Sequence, residues 1–202
     1  MAEEPPTKKV RQGDDLVANE TSNYSILSEN GKVERDSHSS LSILSPSIIS
    51  SASKFAKSYS EAKPYPHNVI PDLFVNGFLE QVLEEIKHDS KVKFKESDLF
   101  RVWQSVDLRN LDESDSSTIA NLPSLLKLRQ LLYSSSFRSF MESISNLDPG
   151  TLTDQVDCAA NCHTKGCHLL CHDDVIGTRK ISYILYLTDP EPEWLKVRNV
   201  TE

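Results

Sequence analysis

Long apolar runs are missing from this 202-residue sequence. A membrane span needs about 18–20 consecutive apolar residues, and the longest run, Tyr183–Leu187, has the size of a strand. The polar N-terminus, Met1–Arg11, lacks the apolar core of a signal peptide. Positive charge is also in deficit, because 22 Lys and Arg face 30 Asp and Glu. These absences argue against a membrane partner, against secretion and against direct nucleic-acid binding, so we expect a soluble intracellular protein.

Cysteine is absent outside one short stretch. All four cysteines fall within 14 residues and alternate with three histidines: Cys158, Cys162, Cys167 and Cys171 with His163, His168 and His172. In a reducing compartment such a cluster indicates metal ligands, oxidation-sensitive thiols or small buried apolar side chains. Four cysteines could bind zinc, although the C-x3-C-x4-C-x3-C spacing differs from that of common zinc modules. The pattern leaves these three alternatives open.

Residues 1–64 are poor in apolar side chains. Fourteen serines fall in the 39-residue stretch 22–60, and no helical or strand period persists there. Such a segment buries too little apolar surface to offset the entropy of ordering it, so we predict a disordered Ser-rich tail over 1–64. Lys8, Lys9 and Arg11 form a basic cluster that is similar to a nuclear-import signal. The cluster predicts localisation in cytoplasm and nucleus; an ordinary basic terminus is the alternative.

Residues 65–202 have the periodicities of an α+β domain. Apolar residues three or four apart predict three helices, one carrying Phe78 to Ile86, one beginning at Pro123 and one from Phe137 to Ile144. Alternating residues predict a strand over Val102–Leu108, and three later stretches are strand-like: 152–160, 168–175 and 180–187. We therefore predict an α-rich layer packed on β-structure.

The sharpest chemical feature is His172-Asp173-Asp174, within the second of the later strands. Residues two apart on a strand point to the same face, so His172 and Asp174 would project together. An imidazole and a carboxylate side by side supply two of the three ligands of a 2-His-1-carboxylate Fe(II) site, whose open face receives a co-substrate and O2. Taken alone, a His-x-Asp triplet is more often a solvated strand end.

The residues around this triplet carry a family resemblance. Leu169–Leu187 resembles the Fe(II)/2-oxoglutarate prolyl hydroxylases that modify a small-subunit ribosomal protein, a eukaryotic family linked to translation termination. Pro71–Phe74 and Leu99–Gln104 are similar to the α-rich flank of that family. The resemblance implies a double-stranded β-helix, or jelly roll. It also implies Fe(II), the co-substrates 2-oxoglutarate and O2, ascorbate as reductant, and a prolyl residue of a ribosomal protein as substrate.

The same resemblance implies the roles of three residues. His172 and Asp174 match the first two iron ligands of the family, and Tyr186 matches the tyrosine that hydrogen-bonds the distal carboxylate of 2-oxoglutarate. Without the family, Tyr186 would be interpreted as an aromatic residue of a core strand.

The distal part of the family pattern is missing. No histidine follows His172, and Arg179 and Arg198 lie too early to match the later arginine of the family. From Thr151 to the end there are 52 residues, whereas eight jelly-roll strands need about 80–100. We therefore expect residues 65–202 to form a domain truncated before its later strands, with an incomplete jelly roll. We also expect weak Fe(II) binding and negligible 2-oxoglutarate turnover by this chain.

Two alternatives remain from the sequence. One is a non-catalytic binding or regulatory fragment of such an enzyme, which would keep partner contacts without releasing succinate. The other is a small Cys/His zinc module, which would bind stoichiometric zinc and lose it when the cysteines are substituted.

Overall fold

A computed structural model describes residues 41–89, 91–174 and 177–188. The helices are α1 (Pro46–Ser50), α2 (Ala52–Glu61), α3 (Phe78–Asp89), α4 (Ser116–Asn121), α5 (Pro123–Leu132) and α6 (Ser135–Ile144). The strands are β1 (Val92–Glu96), β2 (Phe100–Ser105), β3 (Asn161–Cys162) and β4 (His168–Leu169), and 3-10 turns cover Leu41–Ile43 and Leu108–Asn110. In this part of the chain, no helix has the length and apolar character to cross a membrane.

Helices α3 and α5 are central to the helical layer because each presents one apolar face. Val82 of α3 and Leu131 of α5 are both 0% exposed. Helix α5 begins with a proline, where the missing amide proton leaves no helical bond unmade. The Glu85 carboxylate of α3 accepts hydrogen bonds from the amides of Ser124 and Leu125, both at 2.8 Å. A side chain of one helix therefore caps the positive end of the other.

Helix α6 is fixed at both ends by side chains. The Ser134 hydroxyl accepts from the Phe137 amide at 3.1 Å and caps the start of the helix. Near its end, the Glu142 carboxylate accepts from the amides of Leu152 at 2.8 Å and Gly150 at 3.1 Å. These amides lower the pKa of Glu142. The turn that follows α6 is thereby held against the helix.

One hydrophobic core joins the helices to the chain on either side of them. Its buried members are Leu44, Phe74, Phe78, Val82, Leu108, Leu122, Leu125, Leu128, Leu131, Leu132 and Phe137. Cys158, Leu185 and Leu187 pack against it from the later part of the chain. The three helices predicted from apolar spacing are confirmed, with bounds close to those expected.

The predicted tail is wrong for residues 46–61, which form α1 and α2. Leu44 and Ile48 are buried, at 2% and 7% exposure, and the Asn146 side-chain amide donates to the Ala56 carbonyl of α2 at 2.8 Å. Few apolar side chains suffice here because they dock on a core that other segments build. Residues 1–40 of the predicted tail, which include its basic cluster, lie outside the described residues.

The sheet is antiparallel and organised around β2. Strand β1 pairs along one edge of β2, from Val92 with Ser105 to Glu96 with Arg101. Strands β3 and β4 both pair with the opposite edge. Strand β1 was not predicted, although Val92 and Phe94 alternate with lysines as in a half-exposed strand. Strand β2 was predicted, but it begins two residues earlier than expected. The helices and the antiparallel sheet together confirm the α+β class. In the part of the chain that the structure describes, the sheet is not closed, so the jelly roll stays a prediction.

The later predicted strands are mostly wrong. Among the described residues after 150, strand structure is limited to β3 and β4, and residues 180–187 form no strand. The carbonyl groups of Cys158 and Ala160 accept from the amides of Leu108 (2.8 Å) and Ser105 (2.9 Å), so this stretch follows β2 without a regular ladder. A strand needs a paired neighbour as well as apolar side chains, and the sequence pattern reports only the side chains.

Candidate metal centre

His172 and Asp174 are brought together immediately after β4. His172 Nε2 lies 3.4 Å from Asp174 Oδ1, and the two side chains are 31% and 54% exposed. The strand predicted for 168–175 ends at Leu169, so the pair is formed by an irregular segment. The predicted side-by-side arrangement is present even though the predicted strand is not. One imidazole nitrogen and one carboxylate oxygen thus meet where solvent and a metal ion can reach them.

The His172 ring is oriented by its own backbone. Nδ1 lies 2.8 Å from the Leu170 carbonyl oxygen, which can only accept, so Nδ1 carries the proton. In the neutral ring, Nε2 then has a free lone pair that faces Asp174. A backbone carbonyl on the second nitrogen is the usual support of a metal-binding histidine. A neutral imidazole with a carboxylate suits Fe(II), so these two residues fit an iron site.

Arg179 is the nearest cationic partner of this carboxylate that the structure shows. Its Nη1 lies 3.8 Å from Asp174 Oδ1, and its Nη2 lies 3.4 Å from Asp157 Oδ2. The guanidinium therefore bridges the His-x-Asp segment to the residue before Cys158. Its spacing excluded it as the distal arginine of the family, and the structure gives it a different role, as a partner of Asp174. A metal ion at Asp174 would share that carboxylate with Arg179.

Tyr186 lies in a segment that borders the same region as Asp174. Both residues line an open depression of about 800 Å³, together with residues 65–77 and part of α6. Tyr186 is 77% exposed. Its proposed contact with a co-substrate stays a prediction, because this exposed ring shows which surface it belongs to and not what it binds.

The segment that carries Tyr186 is anchored by a half-buried polar contact that the sequence did not reveal. The Tyr183 hydroxyl donates to the Cys158 sulfur, and its ring packs edge-on against Phe137 with centroids 6.2 Å apart. Burial raises the pKa of Cys158 to about 11. Beside it, the Tyr133 hydroxyl donates to Asp107 Oδ1 at 3.1 Å. The nearly continuous apolar stretch 180–187 was the available signal, but it could not identify Cys158 as the partner.

The cysteines do not assemble a metal cluster. Among residues 41–89, 91–174 and 177–188, no three His, Cys, Asp or Glu side chains come together in a way that could hold a metal ion. Cys158 packs against the core, whereas Cys162 and Cys171 are exposed. The zinc module therefore has no support in this part of the chain. The same observation means that a third iron ligand does not accompany His172 and Asp174 there.

Comparison with known proteins supports the oxygenase chemistry. Residues 158–198 match the profile of the 2OG-Fe(II) oxygenase superfamily, a stretch that includes the His172 and Asp174 pair. The chain is 49% identical over 134 residues to the prolyl 3,4-dihydroxylase OGFOD1 of Ostreococcus tauri. The chain matches the prolyl hydroxylase family. Prolyl 3-hydroxylases named OGFOD1 from Xenopus laevis and Mus musculus are 34% and 32% identical over 137 and 136 residues. The predicted resemblance is confirmed.

These alignments cover most of this chain and a small part of the prolyl hydroxylases. They include 66%, 67% and 65% of the chain, but 26%, 24% and 21% of the three relatives. The chain thus spans about a quarter of the length of the relatives it matches. It carries part of the sequence of an oxygenase enzyme family.

Proposed function

We propose that this chain carries the metal-binding segment of an Fe(II)/2-oxoglutarate-dependent prolyl hydroxylase. The observation that carries the proposal is the approach of His172 Nε2 to Asp174 Oδ1 at 3.4 Å, within the segment that matches the oxygenase superfamily. These two residues would hold Fe(II). Bound Fe(II), with 2-oxoglutarate and O2, supplies the oxidative hydroxylation of a prolyl residue, and ascorbate would serve as reductant.

The protein contributes orientation and charge to this chemistry. The Leu170 carbonyl holds the His172 proton on Nδ1 and leaves Nε2 available as a ligand. Asp174 supplies a negative oxygen, and Arg179 limits the freedom of that carboxylate. Tyr186 would donate a hydrogen bond from its hydroxyl to the distal carboxylate of 2-oxoglutarate.

The substrate in this proposal is a prolyl residue of a ribosomal protein. The names of the relatives support prolyl hydroxylation; the ribosomal target rests on the resemblance of Leu169–Leu187 alone.

We also propose localisation in cytoplasm and nucleus, from Lys8, Lys9 and Arg11. Changing these three residues to alanine should shift a fluorescently tagged chain toward the cytoplasm in microscopy. An unchanged distribution would show that the cluster is an ordinary basic terminus.

Metal binding by variants of the two proposed ligands, with a matched histidine control, tests the proposed site. We expect the chain to bind Mn(II), a spectroscopic substitute for Fe(II), weakly, because its described residues supply two ligands. His172→Ala and Asp174→Ala should each lower the affinity by at least about 10-fold, the loss typical even for the supporting partners of a metal ligand. His163→Ala is the control, since His163 is an exposed histidine of the same stretch. Electron paramagnetic resonance of free Mn(II) gives the affinity.

Two further measurements separate the proposal from its alternatives. Under anaerobic conditions with Fe(II), 2-oxoglutarate should produce the visible charge-transfer band of its iron chelate, and His172→Ala should remove that band. Metal retained by His172→Ala but lost on substitution of the cysteines would favour the zinc module. Fe(II) binding without any chelate band or succinate release would favour the non-catalytic fragment.

A further inference from the structure

Strands β3 and β4 form a single edge strand interrupted by a loop. Trp103 pairs with Cys162, and Arg101 pairs with His168, both on the edge of β2 that β1 does not occupy. Between these two pairs β2 advances by two residues, whereas the outer chain advances by six. The five residues between the two pairs, 163–167, leave the sheet and form the edge loop. Because two strand residues span about 7 Å, the loop returns close to the point where it left.

Cysteines flank the turn of the edge loop: Cys162 comes immediately before the loop, and Cys167 is its last residue. Cys162 is the last residue of β3 and is exposed, and Cys167 directly precedes β4. The Cys167 amide donates to the Thr164 carbonyl at 2.9 Å, in a turn that Gly166 completes with a φ of +89°. The Cys167 sulfur lies 3.5 Å from Thr164 Oγ1. The sulfur is therefore directed over the loop whose other end is Cys162.

The other two cysteines are unsuited to pair with Cys162. Cys158 packs against the core, where its sulfur accepts from Tyr183. Leu169 pairs with Phe100, and Cys162 pairs with Trp103; these two positions on β2 are about 10 Å apart. Cys171 lies two residues beyond Leu169, on the side away from Cys162. Its distance from Cys162 therefore exceeds the Cα separation of about 4.4–6.8 Å that a disulfide requires. Cys167 is thus the thiol that the register brings to Cys162.

We propose that Cys162 and Cys167 form a reversible disulfide that closes the edge loop. A low-molecular-weight disulfide, such as glutathione disulfide, is the oxidant. The Cys162 thiolate attacks it and releases one glutathione thiol, and the Cys167 thiol then loses its proton and displaces the second. Two protein thiols are oxidised and one glutathione disulfide is reduced. The inference concerns the sheet edge and does not require iron.

The bond would restrain the chain that leads to His172. It would tie β3 to β4, two strands that each pair with β2 through only two residues. Strand β4 is followed directly by Leu170. The amide of Leu170 donates to the Leu99 carbonyl at 2.9 Å, and its carbonyl orients His172. Hydrogen exchange at the amides of Cys167 and Leu170 should therefore slow in the oxidised chain.

Peptide mapping of the Cys171→Ser chain tests the disulfide. This variant removes an exposed thiol that could retain glutathione and leaves three cysteines. After incubation with glutathione disulfide, we expect two thiols to be lost in denaturing titration, no glutathione to be retained, and the mass to fall by two hydrogens. Trypsin cuts after Lys165, between the two cysteines, so the flanking peptides should remain linked until a reductant separates them.

The two halves of the pair provide the controls. Adding Cys162→Ser or Cys167→Ser to the Cys171→Ser chain should abolish the linked peptides and leave a glutathione adduct on the other cysteine of the pair. Adding Cys158→Ser instead should preserve the link. A glutathione adduct that persists on Cys162 in the Cys171→Ser chain would overturn the proposal. Linked peptides that survive the loss of Cys162 would do the same, because they would identify Cys158 as the partner.

Discussion

The helical layer, formed by α3 to α6, and the site segment, 150–174 with 177–188, are stabilised in different ways. The helical layer is built from elements with their own local hydrogen bonds, and it supplies most of the buried core, including Leu131 at 0% exposure. In its described residues, the site segment contains two strands of two residues each, and Leu169 is 50% exposed. Its side chains are held by individual contacts and not by a continuous ladder of hydrogen bonds, as in the contact of Tyr183 with Cys158. Stability therefore lies in one region and the candidate chemistry in the other.

The largest expected effect contrasts the two regions directly. Leu131→Ala should lower the free energy of unfolding by about 2–5 kcal/mol, because it removes a fully enclosed side chain and leaves a cavity. Leu169→Ala, the matched change in the site segment, should alter it by about 0.5 kcal/mol, as is usual at exposed positions. Urea unfolding followed by circular dichroism measures both. Equal losses would show that the site segment shares the core of the helical layer.

A smaller effect tests the capping within the helical layer. Glu85→Ala removes the carboxylate that accepts from the amides of Ser124 and Leu125, which should cost about 1–2 kcal/mol. Glu84→Ala is the control on the same helix, because Glu84 forms an exposed ion pair with Lys87 at 2.7 Å and such pairs contribute little. If the two variants unfold at the same urea concentration, the cap does not stabilise α5.

The smallest expected effect concerns the contact of Tyr133 with Asp107, which lies beside Cys158 of the site segment, and it depends on pH. Burial, and next the Asp107 carboxylate, raise the pKa of Tyr133 from its ordinary value of 10.0 to about 12. A raised pKa favours the protonated form in the folded state. The contribution of Tyr133 is therefore complete below about pH 10 and is lost as the pH rises through about 12.

Thermal melts between pH 8 and pH 12 measure this dependence. The melting temperature of Tyr133→Phe should fall less steeply with pH than that of the unmodified chain. Some decline should remain, because burial also raises the pKa of Cys158 to about 11. Tyr65→Phe, at a residue 66% exposed, should follow the unmodified chain. Identical slopes for all three proteins would contradict a stabilising role of the Tyr133 hydroxyl.

Local pattern was sufficient where the structure depends on local bonds. The helices around Phe78, Pro123 and Phe137 appear where apolar spacing predicts them, since helical hydrogen bonds close within four residues. Helix α2 was missed because its serine-rich sequence buries no residue of its own. Its position depends instead on Asn146, a residue 90 positions from its partner Ala56.

Strands and the site depended on more distant contacts. The apolar stretch 180–187 predicts a strand, but it pairs with no described strand. For His172 and Asp174, spacing alone predicted that the side chains meet, and they meet without the strand that the prediction assumed. The Leu170 carbonyl and Arg179 could not be predicted as their partners, because both contacts arise from the path of an irregular segment.

By itself the sequence determined the α+β class, the main helices, the acidic charge balance and the identity of the candidate iron ligands, because these follow from composition, period and a short motif. Tertiary structure decided that residues 46–50 and 52–61 are helical, which strands pair and how the cysteines are distributed. It placed Cys162 and Cys167 at the two ends of one loop, and Cys158 against the core. These features depend on pairings between residues far apart in the chain, and such pairings are settled only when the whole core is assembled.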